Sequence, residues 1–270
     1  MEDPQIVKEF SDVYFIMKPA GWNCVTDEGY TALVNNSKNK LILTWIKDNL
    51  KKDDEVNKLE YGYGLLNRLD IETSGIIMVS KNLKSYLKYR KDINDHIKTT
   101  KIYLALVEGF VEHEFGVIEL PLYYNTQSRV TTVSKEKGKF SYTEYIKLQT
   151  LINKKTGNTY TLLLVKIKTG RTHQIRVHLK SIGHKIICDK KYENDKAKLN
   201  EQCKISKRLF LHAHYYKIEN DVDGYAKIPK DLDDALNSLQ IAEKNTEYQN
   251  AFDILKSNVI TNIFLNKSIK

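Results

Sequence analysis

Asn67-Arg68-Leu69-Asp70-Ile71-Glu72-Thr73-Ser74-Gly75 leads directly into Ile76-Ile77-Met78-Val79. A polar loop that runs into four consecutive apolar residues reads as a loop entering a buried strand. From such a position side chains can be aimed at a cleft. A second stretch shares its chemistry: Gly170-Arg171-Thr172-His173-Gln174-Ile175-Arg176-Val177-His178. The chain has 43 basic residues, of which only Arg68, Arg90, Arg129, Arg171, Arg176 and Arg208 are arginine. Three of those six fall in the two nonapeptides. A guanidinium never loses its charge and offers a fixed fork of donors suited to carboxylate, phosphate or a base edge. One stretch supplies an aspartate and the other supplies arginines, so a carboxylate–guanidinium site is the first expectation.

Working outward, Val13-Tyr14-Phe15-Ile16-Met17 reads as a strand stopped by the turn Lys18-Pro19-Ala20-Gly21. A short helix is expected over Leu41–Leu50 and a charged loop over Lys51–Lys58. Ser80 is placed to cap a helix over Lys81–Ile97 with Leu83, Leu87, Ile93 and Ile97 as its apolar stripe. Strands follow at Ile102–Val107, Val117–Leu120, Val130–Val133, Ser141–Leu148 and Thr159–Thr169. From Thr172 the period becomes helical, with Ile175, Leu179 and Ile182 on one face and Gly183 as the stop. That puts Arg176 one turn after His173. A lysine-rich loop, a strand at Leu209–Ile218 and a helix from Pro229 complete the pattern, and residues beyond about Ala242 read as a helical extension. Strands mostly follow one another directly, so the expected fold class is α+β with a mainly antiparallel or mixed sheet.

Composition narrows the classes. Hydrophobic content of 41% and charged content of 29% over 270 residues describe a soluble globular chain with ample core. No apolar run approaches the ~18 residues of a membrane span. The start, Met1-Glu2-Asp3-Pro4-Gln5, is unlike a signal or transit peptide, so the expected address is the cytoplasm, or an organelle reached by an atypical signal. Cys24, Cys188 and Cys203 are odd in number and hold no C-x-x-C, which supports neither a disulfide framework nor a zinc ribbon. A net charge of +9 favours a polyanionic partner, because each phosphate neutralised releases counterions.

Taken singly, the motif residues have ordinary readings. An Asp in a Ser/Thr/Gly turn most often caps backbone N–H groups, and a lone arginine is usually a surface or structural ion pair. His173 and His178 are five apart, the wrong spacing for two metal ligands on one helix face, so no metal is expected. Gly-x-x-x-x-Gly-Lys, Gly-x-Gly-x-x-Gly and Gly-x-Ser-x-Gly are all missing, against a nucleotide cofactor or a serine hydrolase.

Together the motifs change the odds. Arg68-Leu69-Asp70-x-x-Thr73-Ser74-Gly75, Lys101-Ile102-Tyr103 and Gly170–His178 resemble, in order, the RluA-type family of RNA pseudouridine synthases. Lys18-Pro19-Ala20-Gly21, Ala105-Leu106-Val107-Glu108-Gly109, Ser181-Ile182-Gly183-His184 and Arg208 with Leu211-His212-Ala213 extend the likeness over roughly residues 12–240. The resemblance implies a curved, mixed sheet with an RNA-binding cleft and isomerisation of uridine without cofactor or metal. It implies Asp70 as nucleophile or base, Tyr103 stacking on the base and assisting proton removal, and Arg176 pairing with Asp70. Arg68, Arg171, His173, Lys185, Lys190 and Lys191 are expected to contact RNA, either tRNA or rRNA.

The chain departs from the family's pattern at Asn67, where His is usual, and at Lys185 and Cys188-Asp189, where Gly-His-Pro and Gly-Asp are usual. The expected organisation is one catalytic domain over 1–240, with no small RNA-binding domain before Lys18, a helical extension over 241–270, and a monomer. A non-catalytic RNA-binding protein on the same scaffold is the competing reading.

Overall fold

The structure, a computed structural model, describes residues 2–24, 40–94, 98–218 and 221–244. In chain order the elements are β1 (Gln5–Glu9), β2 (Val13–Lys18), α1 (Ile42–Asn49), β3 (Ser74–Ser80), α2 (Leu83–Asn94), β4 (Thr99–Glu108) and β5 (Phe115–Ile118). They continue with β6 (Leu122–Asn125), β7 (Val130–Val133), β8 (Thr143–Ile152), β9 (Thr159–Ile167), α3 (Gln174–Ser181) and α4 (Lys196–Ser206). The last are β10 (Leu211–Ile218), β11 (Val222–Tyr225), α5 (Lys230–Asn237) and β12 (Gln240–Lys244). The class is α+β, as expected. The chain forms two compact units, Met1–Lys101 with His212–Ala226, and Ile102–Leu211 with Lys227–Lys270.

In the first unit the strand order is β1-β2-β3-β10, with β11 hairpinned onto β10. The β1–β2 and β2–β3 pairs are antiparallel; β3 and β10 run parallel. Strand β3 is buried along its whole length and β2 nearly so, which is why both read as unbroken apolar runs. Strand β1 is exposed throughout and carries Lys8 and Glu9, charges that suit an edge. Alternate residues Val13 and Phe15, Ile76 and Met78, and Tyr216 and Ile218 form one core face, against which α2 places Tyr89, with Tyr86 and Ile93 beside it.

Helix α2 is therefore turned relative to the expected stripe: Leu87 is 58% exposed, because the bulkier tyrosines at i−1 and i+2 take the core. The expected Ser80 cap is also corrected. Ser80 still belongs to β3, paired with Val13, and Asn82 caps the helix by accepting from the Ser85 N–H at 2.8 Å. The expected end of this helix, residues 95–97, lies outside the described residues.

In the second unit the order is β4-β9-β8-β12, and β5 pairs with the first half of β8. Strands β8 and β9 are antiparallel and almost wholly buried, with Leu162, Leu163, Leu164 and Val165 consecutive in the core. Strands β6 and β7 make a separate hairpin.

Strands β1, β6 and β11 were not expected, and three further features also went unforeseen. Residues 240–244 form a strand on β8 where the helical extension was expected to start. The lysine-rich loop contains α4, capped by Asp195, whose carboxylate accepts from the Ala197 and Lys198 N–H groups. That helix brings Cys203 to Cys188, Cα to Cα 4.9 Å, and the two form a disulfide that the thinly spaced cysteines did not suggest. The rest of the expected extension, from 245 on, lies outside the described residues. Among the described residues no helix is long and apolar enough to cross a membrane.

Candidate active site

The Asp70 loop is held from several directions within the first unit. Upstream, the Leu66 N–H donates to Met78 O at 2.9 Å. The Asn67 side chain copies a strand's donor–acceptor pair, giving Nδ2 to Ile76 O (3.3 Å) and taking the Met78 N–H on Oδ1 (2.7 Å). Asn at the position where the family carries His is thus a fastener of the loop to β3. The Leu69 N–H points at the buried Cys24 Sγ, 3.4 Å away. Burial pushes the Cys24 thiol up, against the pull of the nearby Lys18 charge, so it is no thiolate.

Downstream, the Thr73 N–H closes a turn onto the Asp70 carbonyl at 3.1 Å. The turn is made through the backbone of Asp70. Asp70 is half-buried, while Arg68 and Ile71 near it in the chain are exposed, Ile71 at 49%.

Lys18 explains the Lys-Pro-Ala-Gly motif. Its side chain is fully buried and its Nζ donates to Pro19 O and Trp22 O, both at 2.9 Å, and to Ile71 O at 3.4 Å. The Gly21 N–H also donates to Ile71 O, at 2.7 Å. An ammonium surrounded by carbonyls thus clamps the β2 turn onto the residue after Asp70.

The Thr-Ser-Gly end of the motif answers the late motif on β10. Register sets His212 opposite Ser74 and Ala213 opposite Gly75. Ser74 Oγ lies 2.9 Å from His212 Nδ1, and His212 Nε2 lies 3.1 Å from Ala226 O. A carbonyl only accepts, so Nε2 carries a proton, and in the neutral ring Nδ1 accepts from the serine. Gly75 has φ 128, and a Cβ there would stand 2.2 Å from Ala213 O, so only glycine lets the two strands approach.

The second motif is built around Gln174, Arg176 and Tyr192 in the second unit. Gln174 spends its whole amide on fastening the loop. Oε1 accepts from Thr169 Oγ1 (2.7 Å) and the Arg171 N–H (3.0 Å), while Nε2 donates to Tyr142 O (3.0 Å) and Thr143 Oγ1 (3.1 Å). His173 precedes α3 with a left-handed φ of 55, so the helix begins two residues later than Thr172. His178 is fully buried between Thr143 Oγ1 and Leu120 O, and burial depresses its pKa against the pull of that carbonyl.

Arg176 is 3% exposed and holds Asp189 in a two-toothed pair, Nε to Oδ2 at 2.8 Å and Nη2 to Oδ1 at 2.6 Å. Asp189 Oδ1 also accepts from the Lys191 and Tyr192 N–H groups, both at 3.1 Å. The Tyr192 ring covers the guanidinium at 5.0 Å. Its hydroxyl accepts the Thr131 N–H at 3.0 Å and lies 2.8 Å from His173 Nδ1. Asp189 is thus a carboxylate partner of Arg176 that sequence reading did not assign. The signal was available in principle, since a buried guanidinium requires a carboxylate and Asp189 stands thirteen residues on.

The other expected positions are scattered in role. Tyr103 is half-buried on β4. Lys190 and Lys191 are exposed, as an RNA contact would need. Lys185 is tied to the buried Glu193 carboxylate at 2.9 and 3.0 Å, which competes with any phosphate. Arg171 donates its Nε to Phe140 O at 3.2 Å. Among the described residues no group of His, Cys, Asp or Glu is arranged to hold a metal.

A family model described as RNA pseudouridylate synthase matches residues 12–181, a span that contains the Asp70 loop, Tyr103 and Arg176. The chain belongs to the RluA-type family of RNA pseudouridine synthases. An uncharacterized RNA pseudouridine synthase of Helicobacter pylori is 44% identical over 154 residues, 57% of each chain. The ribosomal large subunit pseudouridine synthase D of Borreliella burgdorferi is 36% identical over 160 residues, 59% of this chain and 45% of that protein. The dual-specificity RNA pseudouridine synthase RluA of Vibrio parahaemolyticus is 36% identical over 150 residues, 55% of this chain and 57% of that protein. The alignments thus span about half the length of these family members. Among solved structures, human RNA Pseudouridylate Synthase Domain Containing 1 shares the fold, with TM-score 0.66 at 21% identity over 95% of this chain and 96% of that one.

Proposed function

We propose that the protein isomerises uridine to pseudouridine in RNA, with Asp70 as the residue that attacks or deprotonates. The observation that carries this reading is the Asp70 loop itself. Lys18, Asn67 and the Ser74–His212 contact, reaching the loop from three sides, all hold the segment that carries one half-buried aspartate. Fastening of this kind around an aspartate suits a reacting group.

The reaction breaks the N1–C1′ bond, turns the uracil and forms a C5–C1′ bond; the C5 proton is lost and N1 gains one, so no co-reactant is consumed. A carboxylate can attack the sugar or take a proton from it, and then leave. Tyr103 is proposed to stack on the freed base and to help remove the C5 proton. Arg176, held rigid by Asp189 and covered by Tyr192, is proposed to keep the Asp70 carboxylate ionised and oriented. The target nucleotide has to leave its stack to react, and exposed Arg68 is proposed to fill that space or hold a phosphate. Arg171, His173, Lys190 and Lys191 are proposed RNA contacts, with Lys185 available only at the cost of its bond to Glu193.

The names of the relatives point to ribosomal RNA for some members and to dual specificity for another, so rRNA and tRNA are both to be tried. The proposed setting is a soluble monomer in the cytoplasm. The test is release of tritium from RNA labelled at uridine C5, with wild type and Asp70→Asn on separated tRNA and rRNA. Release by wild type alone supports the assignment. Equal release by both proteins removes Asp70 from the chemistry, and no release by either, with RNA still bound, favours a non-catalytic RNA-binding protein.

A further inference from the structure

The most exposed large apolar side chain among the described residues is Phe140, at 62%. A lone exposed phenylalanine on a loose loop would mean little. Phe140 is not on one. The Lys139 N–H donates to Leu122 O at 2.8 Å, and Leu122 N–H returns the bond at 3.0 Å. Phe140 O accepts from Arg171 Nε, and the next residue, Ser141, is fully buried. Tyr142 is then held by Thr169 Oγ1 on its N–H and by the Gln174 amide and the Lys168 N–H on its carbonyl. The backbone is pinned on both sides of the ring, while the ring is left in solvent.

Its surroundings are specific. The Tyr142 ring lies 6.5 Å from the Phe140 ring, tilted by 40°. Lys168 Nζ stands 3.8 Å over Tyr142, with Glu144 3.6 Å away balancing part of that charge. Arg171 is at the base of Phe140, and exposed Lys135, Lys137 and Lys139 lie on the same loop. A protein-docking site would want contiguous apolar surface. Here an exposed aromatic ring stands on a loop rich in lysine, exposed Glu136 the one acid among them, with Arg171 at its base, a combination that takes an unpaired base on the ring and its phosphate on the guanidinium. Bases in a duplex are already stacked and offer no face.

We propose that Phe140, with Tyr142, Lys168 and Arg171, is a stacking platform for a single-stranded nucleotide of the RNA. This rests on the proposal that the protein acts on RNA. It adds aromatic recognition at a loop that none of the family motifs contains.

The test is fluorescence anisotropy with a labelled oligouridine of about twelve nucleotides, within the usual footprint of such surfaces. Wild type, Phe140→Ala, Phe140→Trp and the exposure-matched control Leu87→Ser are compared. Phe140→Ala is expected to raise Kd about tenfold or more. Phe140→Trp is expected to keep the affinity, with tryptophan emission quenched on binding beyond any change at Trp22 and Trp45. Leu87→Ser should bind as wild type does, and fully duplex RNA should not compete.

No binding by wild type, or Phe140→Ala within twofold of it, overturns the platform. So does an unquenched Phe140→Trp at saturation. Tritium release by wild type is read separately: binding that depends on Phe140 without release removes the isomerase reading and leaves the platform standing. Release that is indifferent to Phe140 does the reverse.

Discussion

Replacing Asp189 by alanine removes both teeth of the Arg176 pair and the acceptor of two backbone N–H groups. The two side chains are 3% and 2% exposed, so water does not substitute. Taking one partner from a buried, hydrogen-bonded ion pair costs about 3–5 kcal/mol, because the other charge stays behind in a poor dielectric. For a chain of this size about 1 kcal/mol lowers Tm by roughly 2–4 °C, so a fall of roughly 6–20 °C is expected for Asp189→Ala. Asp189→Asn keeps an acceptor for the Lys191 and Tyr192 N–H groups and should fall about half as far. The double variant Arg176→Met with Asp189→Leu should recover most of the loss, since an apolar pair of similar volume needs no solvation. Scanning calorimetry on the four proteins separates these cases. A Tm for Asp189→Ala within about 2 °C of wild type, equivalent to less than about 1 kcal/mol, would refute the reasoning that this pair fastens the second motif.

Two further outcomes follow from buried lysines. Lys18→Met keeps the apolar stem but deprives Pro19 O and Trp22 O of their ammonium donor. The relief of a buried charge offsets part of this, for a net loss of about 2–4 kcal/mol. Amide exchange at Gly21, whose N–H holds Ile71 O, should accelerate with it, and unchanged protection there would sink the clamp. Lys101 is pushed down to about 8 from 10.5 by burial, so between those values the unfolded chain binds more protons and stability rises with pH. Below pH 8 the penalty stands in full, up to about 3 kcal/mol, and above 10.5 it is gone. Lys101→Met should therefore be more stable than wild type at pH 7, with the gap closing towards pH 10 in urea titrations; a gap that ignores pH would count against the burial.

The α+β class, most strands, α1, α3 and α5, and the family were all legible in the sequence. The reason is local: unbroken apolar runs such as Ile76–Val79 and Leu162–Val165 mark strands buried on both faces, and motif residues keep their spacing whatever surrounds them. What depends on residues far apart in the chain was decided by tertiary structure. Tyr86 and Tyr89, not Leu87, face the core, because which side of α2 meets the sheet is settled by the packing of β2, β3 and β10 against it. Cys203 found Cys188 only because α4, weakly periodic in sequence, folds back over it. Gly75 is required by Ala213, 138 residues on, and Ser74 by His212. Arg176 could be picked out from its motif. That Asp189 holds it and Tyr192 covers it was decided by the loop after α3, where a buried charge has to find its counterion in three dimensions.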